Sequence, residues 1–360
     1  MKISIILGTR PEIIKMSSII QECQKRRIGY FILHTNQHYS KNLDKVFFNE
    51  LKIPNPKYNL KVGSGTHAEE TGKMLVGIEK ILIKEKPDVV LVEGDTNTVL
   101  AGALAAAKLN IKIGHIEAGL RSYSREMPEE INRILTDHCS DFLFPPTKES
   151  KNILIKEGML KNNIFIVGNT IVDAIKRNLK LANKKSKILK KLKIKKNEYF
   201  LFTAHRPENV DKKKEIKKIL DGIKLVHKKF NLPIIYPIHP RSKKMIKKFK
   251  LNISNEIKLI EPIGYLDFLK LEANTRLVLT DSGGIQEETC IIKVPCVTLR
   301  KNTERPETLK VGSNILAGTS PQKILSSVSK MLMKKNNWKN PFGDGKSGEK
   351  IIKVLIDKFK

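Results

Sequence analysis

Several apolar runs in this 360-residue sequence end in clusters of acids, bases and cations. In the first half, Gly8-Thr9-Arg10-Pro11-Glu12 follows such a run, with Pro11 suited to a helix's first turn and Lys15 one turn further on. Free N–H groups at a helix start hold anions, and Arg10 and Lys15 add charge; the plainer reading is an ordinary turn with surface cations. Glu93-Gly94-Asp95-Thr96-Asn97-Thr98 closes another run with two carboxylates and three polar side chains, one of them a helix cap. Gly114-His115-Ile116-Glu117-Ala118-Gly119-Leu120-Arg121 sets a carboxylate between glycines at a strand end. His115 and Glu117 share a strand face, which raises zinc, but Pro295-Cys296-Val297-Thr298 lacks the second cysteine of a zinc deaminase. His115 is therefore expected to be a packed core histidine. Pro128-Glu129-Glu130-Ile131-Asn132-Arg133 reads as a helix start whose acids suit the macrodipole, with Glu129 and Arg133 four apart on one face.

The second half repeats the pattern. Thr203-Ala204-His205-Arg206-Pro207-Glu208-Asn209 follows an apolar run, and His205 can exchange protons near neutrality. In Asp281-Ser282-Gly283-Gly284-Ile285-Gln286-Glu287-Glu288 a strand ends in Ser-Gly-Gly and turns into a helix. Backbone there can approach a diphosphate, and Glu288, a turn inside, can reach ribose hydroxyls, so a nucleotide site is preferred to a plain glycine turn. Thr303-Glu304-Arg305-Pro306-Glu307 adds an arginine on the same edge. Gly63-Ser64-Gly65-Thr66-His67-Ala68 fits a dinucleotide fingerprint only formally, since no convincing strand precedes it. No P-loop, Gly-x-Ser-x-Gly or His-Glu-x-x-His occurs, which removes the usual support for ATPase, esterase and zincin readings.

These loops need strands and helices to hold them. Val- and Ile-rich runs alternate with amphipathic stretches, the rhythm of parallel βαβ units. Strands are expected at Ser4–Leu7, Phe31–Thr35, Val89–Glu93, Lys112–Ile116, Phe142–Phe144 and Ile164–Val167, then at Tyr199–Thr203, Ile234–Pro237, Lys258–Ile260, Leu277–Thr280 and Cys296–Leu299. Helices are expected at Pro11–Lys25, His67–Lys84 and Thr98–Leu109. The fold class is α/β, with two Rossmann-like doubly wound domains: residues 1–170, residues 171–345, and a C-terminal helix over residues 346–360. With 40% hydrophobic residues the chain can bury a sizeable core. No apolar run approaches the ~18 residues of a membrane span and the opening is too short for a signal peptide, so a cytoplasmic protein is expected. Cys23, Cys139, Cys290 and Cys296 form no CxxC pair, so neither a disulfide framework nor a structural zinc site is expected.

A net charge of +31 invites a nucleic-acid reading. Only 12 of the 68 cations are arginine, and the densest stretch, Lys184 to Lys196, has eight lysines in thirteen positions with no aromatic residue to stack a base. It reads as a solvated helical face.

Taken in order, Gly8 to Lys15, Gly94-Asp95-Thr96, Gly114 to Arg121, Pro128 to Arg133, Gly168-Asn169-Thr170, His205-Arg206, Asp281 to Glu288 and Thr303 to Glu307 resemble the non-hydrolysing UDP-N-acetylglucosamine 2-epimerases over residues 1–318. The resemblance implies a GT-B type pair of Rossmann-like domains with the active site in the interdomain cleft, a final helix returning to the first domain, a homodimer, no metal and no bound NAD. It carries catalytic positions onto Asp95, Glu117, Glu129 and His205, and substrate contacts onto Arg10, Lys15, Arg133, Ser282, Gly283, Gly284, Glu288 and Arg305. The implied reaction interconverts UDP-N-acetylglucosamine and UDP-N-acetylmannosamine through loss of UDP to 2-acetamidoglucal and its re-addition. Bacterial relatives bind a second UDP-N-acetylglucosamine as activator, partly from the loop matching Thr35 to His38 and from a glutamine in the loop near Gly63 to Thr71. Gln37 and His38 are present as possible second-site residues, but residues 63–71 contain no glutamine, a departure that leaves activation by substrate open. The alternatives are a hydrolysing epimerase, an epimerase of a modified UDP-amino sugar, and a GT-B glycosyltransferase, which would have less use for Asp95, Glu117 and Glu129 together.

Overall fold

The computed structural model describes residues 1–36 and 48–360, and it divides into two compact units, Met1–Lys176 with Phe342–Lys360, and Arg177–Pro341.

The first unit carries β1 (Lys2–Leu7), α1 (Arg10–Lys25), β2 (Gly29–His34), β3 (Tyr58–Asn59), α2 (His67–Glu85), β4 (Val89–Glu93), α3 (Asn97–Lys108), β5 (Lys112–Ile116), α4 (Pro128–Cys139), β6 (Phe142–Phe144), α5 (Lys148–Lys156) and the start of α6 (Thr170–Lys185). Its parallel sheet runs β3-β2-β1-β4-β5-β6, with Ile5 opposite Ile32 on one side and Leu91 on the other. Strands covered on both faces read as continuous apolar runs, which is why β1 and β4 were legible. Ile6, Val90 and Val92 pack with Met74, Ile78 and Leu82 of α2 and with the alanine-rich α3. Asp173 of α6 accepts the Ser347 and Gly348 N–H groups at 3.2 and 3.1 Å, anchoring the start of the last helix.

The second unit continues with α7 (Ile188–Leu192), β7 (Phe200–Thr203), α8 (Pro207–Val210), α9 (Lys213–Phe230), β8 (Ile234–Pro237), α10 (Pro240–Lys248), β9 (Ile257–Ile260), α11 (Tyr265–Asn274), β10 (Leu277–Thr280), α12 (Gly283–Ile291), β11 (Cys296–Thr298), α13 (Pro306–Lys310), β12 (Asn314–Leu316) and α14 (Pro321–Leu332); α15 (Ser347–Lys358) belongs to the first unit and lies against α1. The second sheet, β12-β11-β10-β7-β8-β9, is also parallel. Its largest core cluster gathers Phe200, Phe202, Ile234, Tyr236, Leu277 and Leu279 with Ile219 and Ile223 of α9 and Ile324 and Val328 of α14.

In both sheets the strand order reverses beside the first strand, between β1 and β4 and between β7 and β10. Ligands of such sheets bind beyond the carboxyl ends at that reversal. One expected strand fails: Ile164 makes a single bridge to Leu143, and Ile164–Val167 extends no ladder. Among the described residues no helix is long and apolar enough to cross a membrane.

Candidate active site

At the first reversal the chain leaves β1 through Gly8 and enters α1 with Arg10 half-buried in its first turn. Glu12 folds back over this turn. One of its oxygens accepts the Gly8 N–H at 2.6 Å and the Thr9 N–H at 3.3 Å, and the other accepts the Thr96 hydroxyl at 2.7 Å, tying the β1 and β4 loops together. Burial pushes the Glu12 carboxyl up to about 7, against the opposing pull of these hydrogen bonds.

One turn on, the Lys15 ammonium lies 2.7 Å from Glu117 and 2.9 Å from Glu93, and all three side chains are nearly closed to solvent. Asn169 donates to the same Glu117 oxygen at 2.8 Å. Glu117 directly follows β5 with φ at 68°, a region a side chain rarely adopts, so its partners hold it in a costly backbone conformation. Asp95 accepts two N–H bonds from the Arg133 guanidinium, at 3.0 and 2.7 Å, and remains part-exposed. Arg133 is also paired with Glu130, whose oxygens take the Ser122 and Tyr123 N–H groups at 2.8 and 2.9 Å. The sequence placed Glu129 and Arg133 on one face; here Arg133 pairs with Glu130, and Glu129 stands half-buried in the first turn of α4.

His115 is fully buried, as expected of a core residue, with one ring nitrogen 2.7 Å from Asp137 and the other 2.9 Å from the Gly94 carbonyl. Asp137 also accepts the Gly119 N–H at 3.1 Å and pairs with Arg121 at 2.7 Å. The network thereby clamps the loop carrying Asp95 to the one following Glu117. Among the described residues no group of three or more His, Cys, Asp or Glu is placed to hold a metal ion.

At the second reversal, Asp281 after β10 faces His205 after β7. Its carboxylate accepts the His205 and Arg206 N–H groups at 3.1 and 3.0 Å and the Asn209 amide at 3.1 Å, with His205 Nδ1 at 3.3 Å. Burial raises this carboxyl, but His205 and those donors outweigh it and hold Asp281 below its ordinary range. Ser282 stands at the N-cap of α12, whose first two residues are Gly283 and Gly284. A Cβ at Gly283 would come within 2.3 Å of a Glu304 oxygen, whereas the space over Gly284 is open. Glu304 is itself buried, which would raise it, yet Arg305, Arg300 and Arg206 bring it down to about 2. Arg305 pairs with Glu287 at 2.7 Å, and Tyr265 donates to Glu288 at 3.3 Å.

Within the first unit, then, Lys15 meets Glu117 and Asp95 meets Arg133; within the second, His205, Ser282, Gly283, Gly284 and Arg305 stand on loops or helix starts at the carboxyl edge of the sheet, and Glu288 lies further along α12. Gln37 and His38 lie outside the described residues. Glu12, Glu93, Asn169, Asp281 and Glu304 stand in the same loop motifs, where residue type alone assigns them no role. Only their burial, invisible in a loop motif, marks them. The Gly63–Ala68 fingerprint resolves as a helix cap: Thr66 accepts the Glu69 N–H, and Glu69 accepts the Thr66 N–H in return.

A sequence model of the UDP-N-acetylglucosamine 2-epimerase family matches residues 21–356. The UDP-N-acetylglucosamine 2-epimerase of Methanocaldococcus jannaschii is 60% identical over 361 residues, 99% of each chain, and its crystal structure in complex with UDP-GlcNAc and UDP superposes with a TM-score of 0.94 over 99% of this chain and 100% of that one. The Neisseria meningitidis UDP-GlcNAc 2-epimerase bound to UDP-GlcNAc is 35% identical with a TM-score of 0.91, covering 99% of this chain and 100% of that one. A Pseudomonas aeruginosa UDP-2,3-diacetamido-2,3-dideoxy-D-glucuronate 2-epimerase is 39% identical over 360 residues, 99% of each chain. By the family match over residues 21–356 and the 60% identity over nearly the whole of both chains, the chain belongs to the UDP-N-acetylglucosamine 2-epimerase family.

Proposed function

We propose that this protein reversibly converts UDP-N-acetylglucosamine to UDP-N-acetylmannosamine by eliminating UDP to 2-acetamidoglucal and adding it back, without hydrolysis. The observation that carries the reading is the group of carboxylates around one buried ammonium, Glu93 and Glu117 on Lys15 with Asp95 on Arg133 in the neighbouring loop. Inverting C2 takes a proton from one face and returns one to the other, so at least two acid/base groups are needed. Asp95, Glu117 and Glu129 fill those roles. Arg10, Lys15 and Arg133 orient the acids and the substrate. The second unit holds the nucleotide: N–H groups of Gly283 and Gly284 and the Ser282 hydroxyl receive the diphosphate, Glu288 the ribose, and Arg305 adds charge, while the Ser282 N–H is spent on the Thr280 hydroxyl at 3.0 Å. His205, oriented by Asp281, donates a hydrogen bond or proton to the departing phosphate.

The proposal includes a homodimer working in the cytoplasm, with neither metal nor NAD taking part. Its test is incubation with UDP-N-acetylglucosamine in D2O followed by NMR. The expected product is UDP-N-acetylmannosamine carrying deuterium at C2; free N-acetylmannosamine with UDP would identify a hydrolysing enzyme, and a C2 proton retained through many turnovers would exclude elimination. Because the diacetamido-uronate epimerase is 39% identical, that sugar nucleotide is the second substrate to assay, and a higher kcat/KM on it would reassign the substrate.

A further inference from the structure

Gln286 has no place in the proposed chemistry, yet it is fully buried one turn into α12, and its amide joins three segments of the second unit. Its Nε2 donates to the Ser282 carbonyl at 3.3 Å, at the cap of the Ser-Gly-Gly turn. Its Oε1 accepts the Thr303 hydroxyl at 2.7 Å and the Asn314 amide at 3.1 Å. From each of these two partners further bonds lead to the backbone of Arg305. Thr303 Oγ1 accepts the Arg305 N–H at 3.0 Å. Asn314 Nδ2 also donates to Thr308 Oγ1 at 3.2 Å, and that hydroxyl donates to the Arg305 carbonyl at 2.8 Å. Thr298, the last residue of β11, donates to Asn314 Oδ1 at 2.8 Å and so fixes which way the Asn314 amide faces.

Both backbone groups of Arg305 are thus tied to the oxygen of a single amide whose nitrogen holds the helix start. The Arg305 guanidinium, for its part, pairs with Glu287, the next residue of α12. Position 286 has a narrow chemical requirement, an acceptor for two donors and a donor for a carbonyl on one group, which a neutral amide supplies. A carboxylate would set a second acceptor against the Ser282 carbonyl, and an apolar side chain would cut the chain of bonds at its centre. Buried hydrogen bonds linked in this way polarise one another and rigidify the segments they join.

We propose that Gln286 is a positioning residue that sets the Arg305 loop against the Ser-Gly-Gly helix start, so that the guanidinium and the helix N–H groups meet the diphosphate of a uridine nucleotide in one fixed register. This rests on the assignment of Gly283, Gly284 and Arg305 to the diphosphate under the proposed function.

The test is calorimetric titration of UDP into the full chain, with thermal unfolding followed in parallel. Gln286→Met keeps the side-chain length and leaves Asn314 its bond to Thr308; Kd should rise at least about tenfold, the scale of one hydrogen bond to a charged group. Thr303→Val removes one hydroxyl at constant shape and cuts only the path to the Arg305 N–H, so Kd should rise about fivefold with the unfolding temperature unchanged. Thr303→Ser returns the hydroxyl and should restore Kd to within about twofold of the parent. Combining Gln286→Met with Thr303→Val should weaken binding no more than about twofold beyond Gln286→Met alone, since both cut the same chain. Thr303 is only half-buried, so its two variants decide the matter even where Gln286→Met folds poorly. Unchanged UDP affinity in Thr303→Val, a Ser variant as weak as the Val variant, or losses that multiply in the double variant overturn the proposal. Gly284→Ala, titrated alongside, separates the two failures. If it weakens UDP binding and Thr303→Val does not, the diphosphate assignment stands and the role of Gln286 falls; if neither weakens it, the diphosphate assignment has failed and takes this inference with it.

Discussion

The ammonium of Lys15 lies 2.7 Å from Oε1 of Glu117, an ion pair joined across 102 positions of sequence. Sheet order accounts for it: β1 neighbours β4 and β4 neighbours β5, so the first helix after β1 stands beside the end of β5. Glu93 closes the intervening strand and meets the same ammonium. One cation between two buried acids leaves an excess negative charge unless a carboxyl holds a proton. Glu93 is the one pushed well above its ordinary range, by burial first and by Glu117, with Lys15 opposing.

Lys15→Met should therefore be costly to the fold as well as to the reaction. Removing one partner of a buried ion pair destabilises by about 3–5 kcal/mol, because the remaining charge has no compensation. The cost should shrink in acid, where the freed carboxyls protonate. Urea unfolding of parent and variant at neutral and acid pH checks both statements; an equal loss at the two pH values would show that packing, not charge, dominates.

Glu12 gives a pH dependence with a definite sign. Its folded carboxyl stands at about 7 against an ordinary 4.5, so the folded chain binds the proton more tightly than the unfolded one. Stability from this group is fully present below 4.5 and falls away as pH rises through 7. Glu12→Gln keeps an acceptor for Gly8 and does not titrate. Over that interval the parent should lose about 3 kcal/mol relative to the variant, at about 1.4 kcal/mol per pH unit, as read by urea unfolding at a series of pH values.

Much of this was legible in the sequence because fully buried strands advertise themselves. Val89–Glu93 and Lys112–Ile116 were bounded correctly from their apolar residues alone. Both β3 at Tyr58–Asn59 and β12 at Asn314–Leu316 carry an asparagine in two or three residues and so offer no apolar run, unlike the equally short edge strand Phe142–Phe144. Ile164–Val167 has the composition of a strand but only one bridge, a matter of tertiary pairing that composition does not encode. In the site, Glu117 stood out between glycines. Glu93 did not draw a role, since the last residue of an apolar run is as often a solvated strand end as a buried acid. The choice of Glu130 over Glu129 for Arg133 depends on which one the Ser122 and Tyr123 N–H groups reach.

The acid/base assignment predicts large kinetic losses with little loss of fold. Glu117→Gln, Asp95→Asn and Glu129→Gln should each lower epimerisation by about two orders of magnitude or more, the scale of general acid–base catalysis. Some should release 2-acetamidoglucal, which NMR of the reaction mixture detects. A variant that keeps parental turnover and C2 deuterium exchange removes that residue from the mechanism.

Asp281 should act through His205. Replacing it by Asn exchanges an acceptor of three N–H donors for an amide with one acceptor oxygen, and leaves His205 without its carboxylate. Asp281→Asn should lower kcat by about tenfold to a hundredfold and shift the acid limb of the pH–rate profile, with KM changing less. Because this carboxyl is held below its ordinary range, its contribution to stability is present above the unfolded pKa and lost as pH falls through the folded one, and the variant should lack that acid sensitivity. An unaltered pH–rate profile would leave Asp281 a structural role only.

Gly284 separates stability from binding in a single methyl group. It sits in the first turn of α12, where an added Cβ would meet nothing within 4 Å. Gly284→Ala should therefore leave the fold intact and even raise its stability by up to about 1 kcal/mol, since alanine loses less backbone freedom in a helix than glycine. If a diphosphate rests on the N–H groups of this turn, the same methyl enters the space the phosphate needs, and UDP affinity should fall at least tenfold, about 1.4 kcal/mol. Gly283→Ala is the contrasting case, because its Cβ would collide with the Glu304 carboxylate and disturb the fold before any ligand arrives. Thermal unfolding and UDP titration on the two variants check the pair of outcomes: a Gly284→Ala variant that is equally stable and binds UDP as tightly as the parent would place the diphosphate away from this helix start.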